Sequence, residues 1–373
     1  MEQRFRAERR RQINQLILLR RRIRDAHDPF DVTRETFIAS YRLTQDLVRS
    51  LVVLIRPHIP RTTSPLAVPL EIKILCVLHF YATGSYQRPT GKSIDTAVAQ
   101  PTVSDHLTEV TLALNHPQVV SRLIQFPRNA EQMRACVARN QYLGGRIPSA
   151  VGYTDGTLVK IMKPTLEDNV QAYIGRKSFA SINALVTCDK RFYVMNIVSR
   201  YPGATNDSYI WANSALRRKM IELNEEERCF LLGDSGFPHE PWMLTPFARG
   251  EEPDEDTPEM RYNRDFCRDR CTVENTIGLM KQRFRAINDE RILHYSPLKA
   301  CRIIVAVAVL HNLCILAQVP YYQLNADRAR NDNFNEWEGE NFNELDENYI
   351  DLLQAGRDVR QRVVDYLEQM RNQ

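Results

Sequence analysis

The sequence predicts an α/β protein in which an all-α region containing a helix-turn-helix precedes a strand-bearing core. Three observations predict it. Residues 30 to 139 keep helical spacing and contain little strand pattern. After Pro148 the pattern turns to short alternating apolar runs, and from Arg270 it returns to helices. Gly144, Gly145 and Pro148 punctuate the change and set the expected boundary between residues 29–148 and 149–318. A chain of 373 residues is long enough to bury such a core, and its 26% charged and 43% hydrophobic residues are an ordinary globular balance.

The first 28 residues form an arginine-rich arm, Arg4 to Arg11 and Arg20 to Arg24, with Ile13, Leu16, Ile17 and Leu18 as a partial helical stripe. Clustered arginine suits phosphate or nuclear import, and a solvated terminal helix has the same composition. Thr33 to Leu54 reads as one helix, broken by Pro57, Pro60 and Pro65. Pro69 to Tyr81 restarts, with Pro69 suited to a first turn and Gly84 to an end. Gln100 to His106 opens a second helix after a short polar link. That pairing suggests a helix-turn-helix, with Ser104 placed to touch DNA or to cap the helix.

In the core, Ala150 to Ile161 alternates and carries Asp155. Ser181 to Thr187 and Phe192 to Val198 flank Cys188-Asp189-Lys190-Arg191, a tight link that predicts an antiparallel meander. Thr205, Asn206 and Asp207 offer caps for a helix from Ser208 to Ile221. Cys229 to Leu232 is a fourth, buried strand, and Asp234 follows it where the chain turns through Ser235, Gly236 and Pro238. Arg270 to Asn288 reads as a helix with a core stripe of Val273, Ile277, Met280, Phe284 and Ile287. Glu274, Lys281 and Arg285 lie on the adjoining stripe. Leu298 to Ala317 is apolar nearly all round, and residues 319–373 are an acidic tail ending in a helix from Ile350 to Met370.

The order β-β-β-α-β, with Asp155 on the first strand, Asp234 after the fourth and Glu274 on a later helix, is the layout of the ribonuclease-H-like fold. Three carboxylates brought together suit hard divalent cations, which bind through oxygen. Two such ions roughly 3.5–4 Å apart activate a water or a 3′-hydroxyl and steady the leaving oxygen.

Longer stretches resemble the PIF/Harbinger transposases. They are Tyr173-x-x-Arg176-Lys177 with Ser181-Ile182-Asn183, Cys188-Asp189, Tyr201-Pro202-Gly203, Asn206-Asp207-Ser208 and Leu231 to Pro238. Trp242 to Pro246, Arg261-Tyr262-Asn263, Val273-Glu274-Asn275, Arg283-Phe284-Arg285 and Leu310-His311-Asn312 follow. Phe80 to Ser85 and Gln100 to Ser104 match the family's helix-turn-helix region.

The resemblance implies a DDE nuclease whose catalytic and metal-binding residues are Asp155, Asp234 and Glu274, using Mg2+ or Mn2+. The reaction it implies is phosphodiester cleavage at transposon terminal inverted repeats, then strand transfer. The implied partners are DNA, a Myb-like protein and a second copy of the chain, and the implied compartment is the nucleus. Two positions depart from the family: Leu158 and Asn206 stand where it commonly has His.

Arg176, Lys177, Lys281 and Arg285 are candidate phosphate contacts. Asp207 is a cap candidate, and Lys281 and Arg285 could equally pair with the acidic loops Glu222 to Arg228 and Glu251 to Glu259. Eight scattered cysteines fit a reducing compartment, and Cys267 with Cys271 lacks the second pair of a structural zinc site. Ile303 to Leu310 is too short to span a bilayer, so a soluble protein is expected. The competing function class is a domesticated DNA-binding or adaptor protein without cleavage.

Overall fold

The computed structural model describes residues 1–62, 67–165, 169–175, 177–247, 257–320 and 347–372. In chain order the helices α1 (Glu2–Asp25), α2 (Arg34–Tyr41), α3 (Gln45–Ile55), α4 (Leu70–Thr83), α5 (Gln87–Lys92), α6 (Gln100–Leu114), α7 (Pro117–Leu123) and α8 (Ala130–Tyr142) come first. Strands β1 (Ala150–Lys160), β2 (Ser181–Cys188) and β3 (Val194–Pro202) follow, then α9 (Asp207–Ala212) and α10 (Ala215–Glu226). The strands β4 (Phe230–Leu232) and β5 (Met243–Leu244) precede α11 (Pro258–Arg283), α12 (Pro297–Leu316) and α13 (Glu347–Arg371).

The chain divides into two compact units: residues 1–123 with 281–293 and 302–319, and residues 124–280 with 294–301 and 320–373. The first is helical. The helix expected from Thr33 to Leu54 is two, because Arg42 takes a left-handed φ of 66°. Thr33 and Thr44 cap the two segments, accepting from the N–H groups of Thr36 and Leu47. The apolar period runs through the break, so periodicity alone misses it. Gly84 ends α4 at φ +61°, and a Cβ there would meet the Arg285 carbonyl oxygen at 2.7 Å. Phe37, Leu51, Ile74, Leu75 and Leu107 are completely buried in this unit.

The apolar helix α12 is long enough by length and composition to cross a membrane, which counting Ile303 to Leu310 alone overlooks. Ile303, Ile304, Val307 and Leu310 are nevertheless core residues, 0–1% exposed. Those values identify a core helix of a folded unit.

The second unit is built on a mixed five-stranded sheet of order β3-β2-β1-β4-β5. The meander is antiparallel as expected, with Asp155 opposite Val186 across β1 and β2. Asp189 closes its turn, accepting from the N–H groups of Arg191 at 2.9 Å and Tyr193 at 3.2 Å. Strand β4 runs parallel to β1, and β5, a strand the sequence pattern does not reveal, parallel to β4. The helix expected from Ser208 to Ile221 is two, because Ser214 caps α10 by accepting from the Arg217 N–H. The helix α11 starts twelve residues earlier than expected and ends at Arg283; Arg285 lies in a 3-10 turn, so it does not share a helical stripe with Glu274.

Tyr153, Leu232, Tyr262, Phe266 and Val273 form a common core that Val363 and Val364 of α13 join. The Arg261 guanidinium pairs with Glu368 (Nε to Oε1, 3.0 Å), and Arg360 donates to the Pro246 carbonyl at 3.0 Å. Arg371 also pairs with Asp265 at 2.5 Å, so α13 is seated on this unit by apolar burial and by these polar clamps.

Candidate active site

The parallel ladder between β1 and β4 ends at Tyr153 opposite Leu232. Asp155, still within β1, and Asp234, past the end of β4, each stand two residues beyond that pair, so the shared register carries both residues to the same end of the sheet. Asp155 Oδ1 accepts from the Gly156 N–H at 2.9 Å. Asp234 Oδ1 accepts from the Gly236 N–H at 3.0 Å, and the Phe237 N–H closes the turn on the Asp234 carbonyl at 3.2 Å. Asp155 is held within β1, and the turn after β4 holds Asp234.

Helix α11 brings the third. Its Val273 face is buried in the sheet core. Asp269 pins the helix, accepting from the backbone N–H groups of Arg146 (2.8 Å) and Ile147 (2.9 Å) and pairing with Lys190 Nζ (2.8 Å). Arg270 follows Asp269 and lies four residues before Glu274. Its guanidinium reaches Asp155 Oδ2 at 3.3 Å and pairs with Glu274 Oε1. One cation thus joins the acid of the first strand to the acid of the helix. The i, i+4 spacing of Arg270 and Glu274 was visible in the sequence and signals such a pair; sequence reasoning passed over it.

The electrostatics show the crowding. Burial pushes Asp155 up to about 7, Arg270 opposes the rise, and Asp234, Asp207 and Glu274 add to it. Burial also raises Asp234, again against Arg270. Burial alone would lower Arg270, but Asp155, Glu274 and Asp234 outweigh it and hold the guanidinium above its ordinary value.

Asp207 belongs to the same patch, a placement that cap chemistry does not reveal. The N-cap of α9 is Asn206. The Asp207 carboxylate instead lies against Gly156, where a Cβ would meet its Oδ2 at 2.2 Å. Asn183 Nδ2 donates to its Oδ1 at 2.7 Å. Burial pushes Asp207 up to about 6; the Asn183 hydrogen bond opposes the rise and Asp234 adds to it. A cleft of about 520 Å3 opens over Gly156, Asn183, Asp207 and Asp234, with Lys177 on its lining.

The other basic candidates lie elsewhere or outside view. Arg176 falls outside the described residues. Lys281 pairs with Asp289 at 2.6 Å, a residue outside the two acidic loops weighed as its alternative partners. Arg285 is exposed, and its carbonyl abuts Gly84. Ser104 lies half-buried in the first turns of α6, where its carbonyl accepts from Thr108 Oγ1 at 2.9 Å. Burial raises the thiols of Cys267 and Cys271, which suits plain protonated thiols.

The donor set is all oxygen and suits a hard divalent cation rather than a soft one. Among the described residues no three His, Cys, Asp or Glu side chains stand close enough to hold an ion as they are. Arg270 bridges two of these acids, Asp155 and Glu274.

Residues 154–312 match the DDE superfamily endonuclease family. The Bos taurus protein "Putative nuclease HARBI1" is 32% identical over 287 residues, covering 76% of this chain and 79% of that protein. The Arabidopsis thaliana "Protein ALP1-like" is 28% identical over 183 residues, covering 45% of this chain and 44% of that protein. The piggyBac transposase in its synaptic complex with hairpin DNA aligns over 95% of this chain and 83% of that one. Its identity is 11% and its TM-score 0.33, too slight a likeness to bear on the fold.

Proposed function

Because this chain belongs to the Harbinger transposase-derived nucleases of the DDE superfamily, we propose that it is a divalent-metal-dependent DNA endonuclease built on a ribonuclease-H-like core. The observation that carries the reading is the pairing of Asp155 and Glu274 with one guanidinium, while the β1–β4 register brings Asp234 to the same end of the sheet as Asp155. In this reading the three acids hold Mg2+ or Mn2+. When bound, such ions supply Lewis acidity to a phosphodiester and lower the pKa of an attacking water or 3′-hydroxyl. The chain's own part is to orient and to bind. Strand β1 and the turn after β4 hold two carboxylates at one end of the sheet, and Asp269 holds the helix that presents the third. Lys177, on the lining of the cleft, offers an ammonium to a phosphate of the strand.

The finer features extend from the same reading. The trio α4, α5 and α6 serves as the helix-turn-helix, with Ser104 in the first turns of its last helix. The arginines of α1 meet DNA or the import machinery, placing the protein in the nucleus. The substrates are transposon terminal inverted repeats and a target for strand transfer. A Myb-like protein supplies end recognition, and two or more copies act together.

A second reading, a DNA-binding adaptor without cleavage, draws on a different observation: Arg270 already pairs with two of the three acids, so the patch is internally neutralised in part without a metal. Cleavage of labelled terminal-repeat DNA in Mg2+ or Mn2+, with and without a Myb-like partner, separates the two. The nuclease cuts, and Asp234→Asn abolishes cutting while leaving DNA binding in place. DNA binding without cutting under every condition would establish the adaptor.

A further inference from the structure

We propose that the exposed seam of α1 docks an acidic amphipathic helix of a partner protein. The inference lies outside the nuclease reading, which neither requires it nor falls with it. Helix α1 (Glu2–Asp25) leaves most of its surface in water: only Arg24 is buried, and of its large apolar residues only Ile17 is half-buried. Phe5 is 70% exposed, and Leu16, Leu19 and Ile23 are 41–52% exposed. A helix in water gains most of its stability by packing an apolar face, and here that face stands open.

The pattern gives the shape of the missing cover. Leu16, Leu19 and Ile23 follow steps of three and four, and the same heptad carried back meets Gln12, Arg9 and Phe5. These are the a and d positions of a helix-pairing seam. Arg20 and Arg22 flank it at e and g, and Leu18 lies off it. A helix that lies on a bilayer presents a wide apolar face, whereas this line is one side chain wide and carries Arg9 and Gln12. The phosphates of DNA would take the arginines but leave Leu16, Leu19 and Ile23 in water. A second helix covers both.

Charge selects which helix. The nine arginines of α1 stand against Glu2, Glu8 and Asp25. Glu2 and Asp25 already pair with Arg6 and Arg21 of the same helix. Among the described residues no carboxylate pairs with Arg9, Arg20 or Arg22. A second copy of α1 would bring arginine to arginine, most directly Arg9 to Arg9 in parallel register. The complement is a helix with leucine or isoleucine along its own a and d line and glutamate or aspartate beside it.

The full chain tests this against a labelled synthetic helix with leucine at a and d and glutamate at e and g, read by fluorescence anisotropy. The wild type is expected to bind it, and more weakly as salt rises. Leu16→Gln together with Leu19→Gln keeps the charge and the helix propensity, and is expected to weaken binding about tenfold or more. Its Tm and its affinity for duplex DNA are expected to stay at the wild-type values. Arg20→Gln together with Arg22→Gln is expected to weaken binding several-fold and to flatten the salt dependence.

A wild type that does not bind the synthetic helix overturns the inference. Equal binding by the leucine variant overturns it too, because α1 would then act as a plain polycation. A smaller assembly of the leucine variant in sedimentation would give the seam to a second copy of this chain, and a lowered Tm would give it to the chain's own fold. Tighter, leucine-dependent binding to phosphatidylserine vesicles would make the seam a membrane surface. Each of these three results also overturns the proposal.

Discussion

At the residue scale the sharpest consequences lie in the carboxylates around Arg270. An acid whose folded-state value is raised binds more protons folded than unfolded between its ordinary value and the raised one. Stability is therefore lost as pH rises through that window. For Asp155, pushed up to about 7, the window runs from about 4 to about 7, and the strain is complete above it. Its size is on the order of a few kcal/mol, less whatever the patch relieves by small movements. Metal-free Asp155→Asn should accordingly melt higher than the wild type at pH 8 and at the same temperature near pH 4, by calorimetry in EDTA. A wild-type advantage at pH 8 would mean that the Arg270 pair outweighs the crowding. The residues also show why the site was only partly legible. Asp155 stands out because it interrupts an alternating apolar strand, Asp234 because it follows a buried one, and Glu274 because helical spacing places it beside a core stripe. Asp207 looked like a cap because its partners, Gly156 and Asn183, lie on other strands and are joined to it only by folding.

At the element scale, two glycines with one chemistry have opposite consequences. Gly84 has φ +61° and its missing Cβ would strike the Arg285 carbonyl oxygen at 2.7 Å, so Gly84→Ala should destabilise by about 1–3 kcal/mol. Gly278 lies inside α11 with nothing within 4 Å of a built Cβ. Gly278→Ala should stabilise by up to about 1 kcal/mol through helix propensity. Denaturant melts of the two variants check the signs, and a destabilised Gly278→Ala would reveal a constraint on α11 beyond its packing. Element type was the most readable level of this fold, because β1, β2, α4 and α12 each carry a long unmixed pattern. Boundaries were less so. The breaks at Arg42 and at Asn213-Ser214 interrupt no apolar period, and β5 is two residues long, too short to leave a period at all.

At the scale of the whole molecule, the two units contain buried ionisable groups whose pH responses have opposite signs. In the helical unit His106 is 4% exposed, and neither ring nitrogen has a partner among the described residues. Burial pushes it down to about 4; Lys73 and Arg24 push the same way, and Asp105 opposes. A histidine buried neutral binds fewer protons folded than unfolded. Its unit therefore loses stability as pH falls from about 6.5 toward 4, by about 3 kcal/mol in all. The acids of the sheet unit, Asp155 and Asp207, cost stability in the other direction, as pH rises from about 4 to 7. Hydrogen exchange corrected for intrinsic rates should therefore show α4 and α6 losing protection at pH 5, and β1 and β2 losing it at pH 8 in EDTA. His106→Leu should remove the first trend and leave the second. Added Mn2+ should remove the second and leave the first, because only the sheet unit carries the acids that a cation would neutralise. Parallel trends in both units would mean that surface charge, rather than these buried groups, sets the pH response.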